Sequence, residues 1–134
     1  MTSSQNESAL AGPAGEPAIR VLMMPRDTNV HGTIFGGVIL SHIDQAGAVH
    51  ARSEGLDRVV TVAMDAVEFQ RPVFVGDLVS LFCETIRTGR TSIAIFVDVW
   101  ARRFDPSTEL VRVTSAQIVY VNVDEDRNPV PIPG

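Results

Sequence analysis

At 134 residues, with 45% hydrophobic side chains, the chain is the size of one domain and can bury a full core, which excludes wholesale disorder. Its formal charge of -5 argues against nucleic acid as a general partner. All 11 basic residues are arginines, so Schiff-base chemistry and lysine phosphate grips are excluded; phosphate contacts must use Arg, backbone amides or hydroxyls.

Residues 1–16 are small and polar and read as a mobile tail. Residues 18–24 predict a first strand, stopped by Pro25. A polar loop, 26–33, follows. A helix is expected from residue 36 or 37 to 53, with Gly55 just beyond it as a stop. Val38, Ile39, Leu40, Ile43, Ala46, Ala48, Val49 and Ala51 occupy most of its circumference. Such a helix is expected to be buried on most sides, so the rest of the chain must wrap it.

Residues 58–69, 77–88, 91–103 and 109–122 are rich in Val, Ile, Thr and aromatics with partial alternation, and read as strands. Gly89-Arg90 and residues 105–108 are short enough to be hairpin turns, while residues 71–77 form a longer link. Four consecutive meander strands after one helix predict an antiparallel sheet. With the first strand, the fold class is α+β: a five-stranded antiparallel sheet around one long central helix. The domain is expected over residues 17–124, with a polar, Pro-rich tail over 125–134 and no internal repeat.

Cys83 is the single cysteine, so no intrachain disulfide can form, which fits a reducing compartment. No apolar run approaches the roughly 18 residues of a membrane span. The N-terminus lacks the basic start and apolar core of a signal peptide. The expectation is a cytoplasmic chain.

Within the helix one carboxylate, Asp44, breaks the apolar pattern. Its helical neighbours are Gly37, Leu40, Gly47, Ala48 and Ala51. A carboxylate among small apolar groups either has a buried partner, backbone or Arg, or does chemistry, and the residues alone leave both readings open. Gly36-Gly37 opens the helix. Its unpaired N–H groups face whatever approaches, and glycine allows close approach; a tight turn accounts for the pair equally well. Asp44 lies about two turns further on, ~11 Å at 1.5 Å per residue. Amides and carboxylate of one helix therefore cannot both reach one reacting atom. The loop before the helix carries Asn29, His31 and Thr33. Asn29 suits either water orientation or an Asx-type turn. The three histidines and Asp27 show no metal spacing, so no metal is expected. Met23, Met24, Met64 and Trp100 read as core or interface, and Arg102-Arg103 as a solvated strand end.

An ordered set of motifs spans residues 20–123: Met24-Pro25-Arg26-Asp27-Thr28-Asn29, Gly32-Thr33-Ile34-Phe35-Gly36-Gly37, Ile43-Asp44-Gln45-Ala46-Gly47, Val59-Val60-Thr61-Val62, Phe69-Gln70-Arg71-Pro72, Val75-Gly76-Asp77 and Gly89-Arg90-Thr91-Ser92-Ile93. In this order they resemble the hotdog-fold acyl-CoA thioesterases, nearest to the YciA-like branch. The resemblance implies hydrolysis of an acyl-CoA thioester, with Asp44 as general base or nucleophile and the Gly36/Gly37 amides polarising the carbonyl. It implies Asn29 and Thr33 as further catalytic-site residues. Coenzyme A brings phosphates for which Arg71, Arg90 and the hydroxyls of Thr91 and Ser92 are candidate grips. An ordinary hairpin with solvated Arg accounts for the turn about equally well. Phe35 is expected at the substrate. Coenzyme A enters as part of the substrate, with no separate cofactor. Sites shared across a homodimer, and a hexamer built as a trimer of dimers, are expected.

Two departures stand out. Thr33 occupies a position where relatives usually carry an acid or amide, and His31 one where they carry Asn or a small residue. The chain also stops soon after its last strand, so a C-terminal segment covering the nucleotide is expected to be missing. The alternatives are a non-catalytic acyl-CoA-binding module, which normally adds a DNA-binding segment, and a hotdog dehydratase, which wants a His with a carboxylate in its site.

Overall fold

The computed structural model describes residues 13, 15–104 and 108–134. The tail expected over 1–16 falls almost wholly outside the described residues, as does the tip of the last hairpin. Strand β1 (Ile19–Leu22) leads through a single 3-10 turn (Pro25–Asp27) to helix α1 (Gly36–Ser53). Strands β2 (Val59–Phe69), β3 (Leu78–Thr88), β4 (Ser92–Arg102) and β5 (Leu110–Asn122) follow. The one helix and five strands are those expected from the sequence, most ends within a residue; β1 stops two residues short of the expected end.

Strand order is where the structure corrects the sequence. The sheet is fully antiparallel in the order β1-β3-β4-β5-β2. Only β3, β4 and β5 form a meander. Strand β2 sits at the far edge beside β5, and the link through residues 70–77 crosses to β3. The isolated bridge Thr33↔Phe74 ties that link to the loop preceding the helix, so it cannot close a hairpin.

The core lies between α1 and one face of the sheet. Ile93, Ile95, Val97, Val99 and Ala101 alternate inward along β4 and are fully buried, as are Val79 and Leu81 on β3 and Ile118 on β5. Ile39, Ile43, Ala46 and Ala51 of α1 pack on them. Each large side chain so buried contributes about 1.5–3 kcal/mol. The helix is nevertheless covered on one side only. Val38, Leu40 and Ala48 are half-buried and Val49 is 48% exposed. Burial on most sides, as the sequence suggested, exceeds what five strands of one chain supply.

Two devices fix the ends of the sheet. The buried Asp77 carboxylate accepts the Phe74 N–H (2.9 Å) and pairs with Arg103 at 2.5 Å, and the Arg103 guanidinium lies over the Phe74 ring. Arg103 is therefore a structural partner; the solvated strand end predicted for it holds for Arg102 alone, which is exposed. At the other end the C-terminal residues fold back. Val130 N–H donates to Asn122 O (2.9 Å) and Ile132 N–H to Arg90 O (2.8 Å), with Ile132 packed on the core.

Candidate active site

The helix start and the crossover enclose a cavity of ≈ 320 Å³ whose walls include Thr33, Gly36, Phe69, Arg71 and Thr114. Asn29 shapes the loop above it. Its Oδ1 accepts the N–H groups of His31 (2.8 Å) and Thr33 (3.3 Å), and its Nδ2 donates to the Thr33 hydroxyl (2.8 Å). Asn29 is thus the Asx-type brace of the turn, and through it Thr33 is held at the cavity wall. Because Asn29 fills one acceptor site of the Thr33 oxygen, the Thr33 O–H remains a donor.

Phe35 caps α1 without a side-chain bond and is 52% exposed. Among the described residues, the Gly36 and Gly37 N–H groups have no hydrogen-bond partner; the first helical amides that find one are those of Val38 and Ile39, both on Phe35 O. Gly36 lines the cavity, so the positive end of the helix dipole lies beside it. At Gly36 a Cβ would sit 3.3 Å from the Phe69 ring, so the glycine is what lets α1 approach the end of β2.

Asp44 is elsewhere. It is half-buried, and its carboxylate Oδ1 accepts the Thr61 hydroxyl at 2.7 Å. The Tyr120 hydroxyl donates to Asp44 O at 2.5 Å and approaches Oδ1 at 3.2 Å. Among the described residues no Arg or His pairs with it. No ion pair to Asp44 is found in that set, and neutral hydroxyl donors hold the carboxylate in place.

Helix and strand β2 run oppositely, so Gly36 meets Phe69 while Asp44 meets Thr61. The turn Gly89–Ser92 belongs to the Asp44 end, because Ile93 and Thr61 are both registered against Tyr120. One chain therefore carries two groups, at the start and the middle of α1 and at opposite ends of β2. Thr33, Gly36, Gly37, Phe69 and Arg71 form one group, braced by Asn29. Asp44, Thr61 and Tyr120, with Arg90, Thr91 and Ser92 nearby, form the other.

Sequence reasoning missed Thr61, Tyr120 and Thr114. Thr114 is fully buried and its hydroxyl has no partner among the described residues. The one available signal was Gly47, three residues after Asp44, which marks a close approach on the helix. The histidines belong to neither group: His31 is exposed, His42 Nδ1 lies 2.9 Å from Val38 O, and His50 contacts Thr85 and Glu54. Burial pushes the Cys83 thiol up to about 12, so it stays protonated and is no nucleophile near neutral pH. Among the described residues no three His, Cys, Asp or Glu side chains group as metal ligands, and no helix is long and apolar enough to cross a membrane.

The thioesterase superfamily profile matches residues 31–103. The chain is 42% identical to the acyl-CoA thioester hydrolase YciA of Salmonella typhimurium, over 90% of this chain and 92% of that one. Its fold superposes on Cj0915 of Campylobacter jejuni, a hexameric hotdog fold thioesterase, with a TM-score of 0.85 and 47% identity, covering 89% of this chain and 91% of that one. It superposes equally, at TM-score 0.85 and 39% identity, on HI0827, a hexameric broad specificity acyl-coenzyme A thioesterase, covering 92% and 84% of the two chains.

Proposed function

Because this chain belongs to the thioesterase superfamily and has the hotdog fold, we propose that it hydrolyses acyl-CoA thioesters, with Asp44 supplying the base or nucleophile and the Gly36 and Gly37 amides stabilising the oxyanion. The observation that carries the reading is the division of these groups. Asp44 is held by hydroxyls midway along α1, near the start of β2, while the unbonded amides of the helix start, Gly36 lining the cavity, lie near the end of β2.

That division asks for a second copy. Strand β2 is the last of its sheet, its outer side pairs with nothing among the described residues, and Val62 and Phe69 on it are exposed. An exposed edge of this kind invites pairing. Two β2 edges paired antiparallel about a two-fold place the Thr61 end of one chain against the Phe69 end of the other. Asp44 of one subunit then faces the Gly36/Gly37 amides of the next, and the open arc of α1 gains cover. The hexameric relatives support a trimer of such dimers.

In the joined site the thioester carbonyl oxygen points at the two amides, which donate to the developing oxyanion. Water, deprotonated by Asp44, adds to the carbonyl carbon; alternatively the Asp44 carboxylate adds first and water hydrolyses the resulting anhydride. The C–S bond breaks, the electron pair leaves on sulfur, and the thiolate takes a proton to give free coenzyme A and a carboxylic acid. The Thr33 hydroxyl donates to the attacking water. Arg71 from one subunit and the turn Arg90-Thr91-Ser92 from the other flank the site and grip the phosphates. Phe35, exposed at the helix start, lies against the pantetheine arm. No metal or separate cofactor takes part, and the compartment is the cytoplasm.

The test is a panel of acyl-CoAs from acetyl to palmitoyl, followed by release of free thiol. Turnover on one or more supports the reading and ranks the chain lengths. Binding of coenzyme A without turnover on any of them overturns it in favour of a ligand-sensing module. A second expected result concerns the close approach at Gly36. In Gly36→Val the branched side chain presses on the Phe69 ring and fills the cavity, and kcat/KM is expected to fall about 100-fold with thermal unfolding little changed. A variant within threefold of wild type would remove the cavity from the site.

A further inference from the structure

Tyr120 is the only tyrosine of the chain and is 1% exposed, on the inner face of β5. Its hydroxyl does more than fill space. It donates to Asp44 O at 2.5 Å and lies 3.2 Å from Asp44 Oδ1. The phenol oxygen is thus inserted against the helix surface at the Asp44 carbonyl, a group that in an α-helix also faces the amide four residues on.

The insertion needs a gap in the helix surface, and Gly47 provides it. A Cβ on Gly47 would clash with the Tyr120 hydroxyl and come within 2.8 Å of the ring edge. Thr61, registered directly opposite Tyr120 on the neighbouring strand, supplies the other hydrogen bond to Asp44 Oδ1. Two adjacent strands therefore converge on one carboxylate, and Tyr120 alone also grips its main chain.

We infer that Tyr120 is a positioning residue for Asp44: admitted by Gly47, its hydroxyl fixes the backbone and carboxylate in the orientation that meets the thioester. The inference rests on Asp44 being the carboxylate of the reaction. The phenol is no acid in that reaction. Burial, and then the nearby Asp44 charge, push its pKa far above the ordinary value, so it remains a donor at every working pH.

The experiment compares Tyr120→Phe with wild type on an acyl-CoA that wild type turns over, alone and on an Asp44→Asn background. Tyr120→Phe is expected to lower kcat about tenfold with KM within twofold, because the bound substrate is not touched but the attacking geometry is lost. On the Asp44→Asn background the same change is expected to alter the residual rate less than about twofold, the sign of two residues acting through one group. Gly47→Ala, which displaces the phenol without removing it, is expected to lower kcat similarly. An unchanged kcat in Tyr120→Phe, beside an inactive Asp44→Asn, overturns this inference alone; a fully active Asp44→Asn overturns the assignment of Asp44 and this inference with it. A rise in KM at constant kcat also overturns it, because Tyr120 would then be only a wall of the binding site. Should Tyr120→Phe fail to fold, biosynthetic replacement by 3-fluorotyrosine alters this one phenol and keeps its shape. A kcat changed more than about twofold at constant KM and Tm supports the inference, and an unchanged kcat overturns it.

Discussion

Asp44→Asn is expected to abolish thioester hydrolysis, lowering kcat about 10³-fold or more, while leaving coenzyme A affinity within about twofold and the fold intact. The partners of Asp44 are what make this a clean experiment. The Thr61 hydroxyl donates to the carboxylate and Tyr120 to the main-chain carbonyl. An Asn carbonyl accepts the first bond and the second does not involve the side chain. No buried cation is left without a counter-charge. The change therefore removes basicity and nucleophilicity and little else. Free-thiol release in steady state, with coenzyme A binding by calorimetry, checks both halves. Residual activity within tenfold of wild type would place the reacting carboxylate elsewhere.

Asp77→Ala is the opposite case, a carboxylate whose loss is expected to act on stability. Asp77 is 2% exposed, and its pair with Arg103 closes over the Phe74 ring. Removing it leaves a mostly buried guanidinium uncompensated and the Phe74 N–H uncapped, with an expected loss of about 3–5 kcal/mol. In a chain of this size that corresponds to a Tm lower by roughly 10–20 °C. The same latch holds residues 71–73 of the crossover, which line the cavity, so KM is expected to rise as well. Thermal unfolding followed by circular dichroism checks the first effect. Asp77→Ala with Arg103→Met should recover a large part of the loss, because the orphaned charge is then gone. A Tm drop under about 3 °C in the single variant would show the pair to be dispensable.

These two carboxylates also show what could be read from the chain and what could not. Asp44 was legible because a single carboxylate interrupts an apolar helix. The helix and strands were legible because Gly, Pro and the alternation of β-branched residues are local signals, and the Gly36-Gly37 start of the helix followed from them. The meaning of Asp77 was not, since its partner lies 26 residues on and the paired arginines look like any solvated strand end. Tyr120 reaches Asp44 across 76 residues, and no periodicity encodes such a contact. Strand order failed for a related reason. Alternation says which side chains face the core but not which strand is the neighbour, and the bridge between Thr33 and Phe74 decides that β2 is carried past β3. The ordered motifs supplied the fold and reaction class and the helical rise the separation of amides from carboxylate, whereas the hydroxyls that hold Asp44 required coordinates.

The place of β2 at the edge beside β5 bears on how the molecule is made. Its register joins Val59 to Asn122 and Phe69 to Thr114, so the first long strand to leave the ribosome pairs only with the last. Until β5 has been synthesised, β2 has no strand to pair with among the described residues. Contacts of such long sequence separation fold slowly, and an unpaired apolar strand is prone to wrong partners during the wait. Strands β3 and β4 form a local hairpin and can assemble early on the nascent chain. The two strands that bring Thr61 and Tyr120 to Asp44 come together only after β5 has been made, so the carboxylate of the site is set in place late in the folding of this domain.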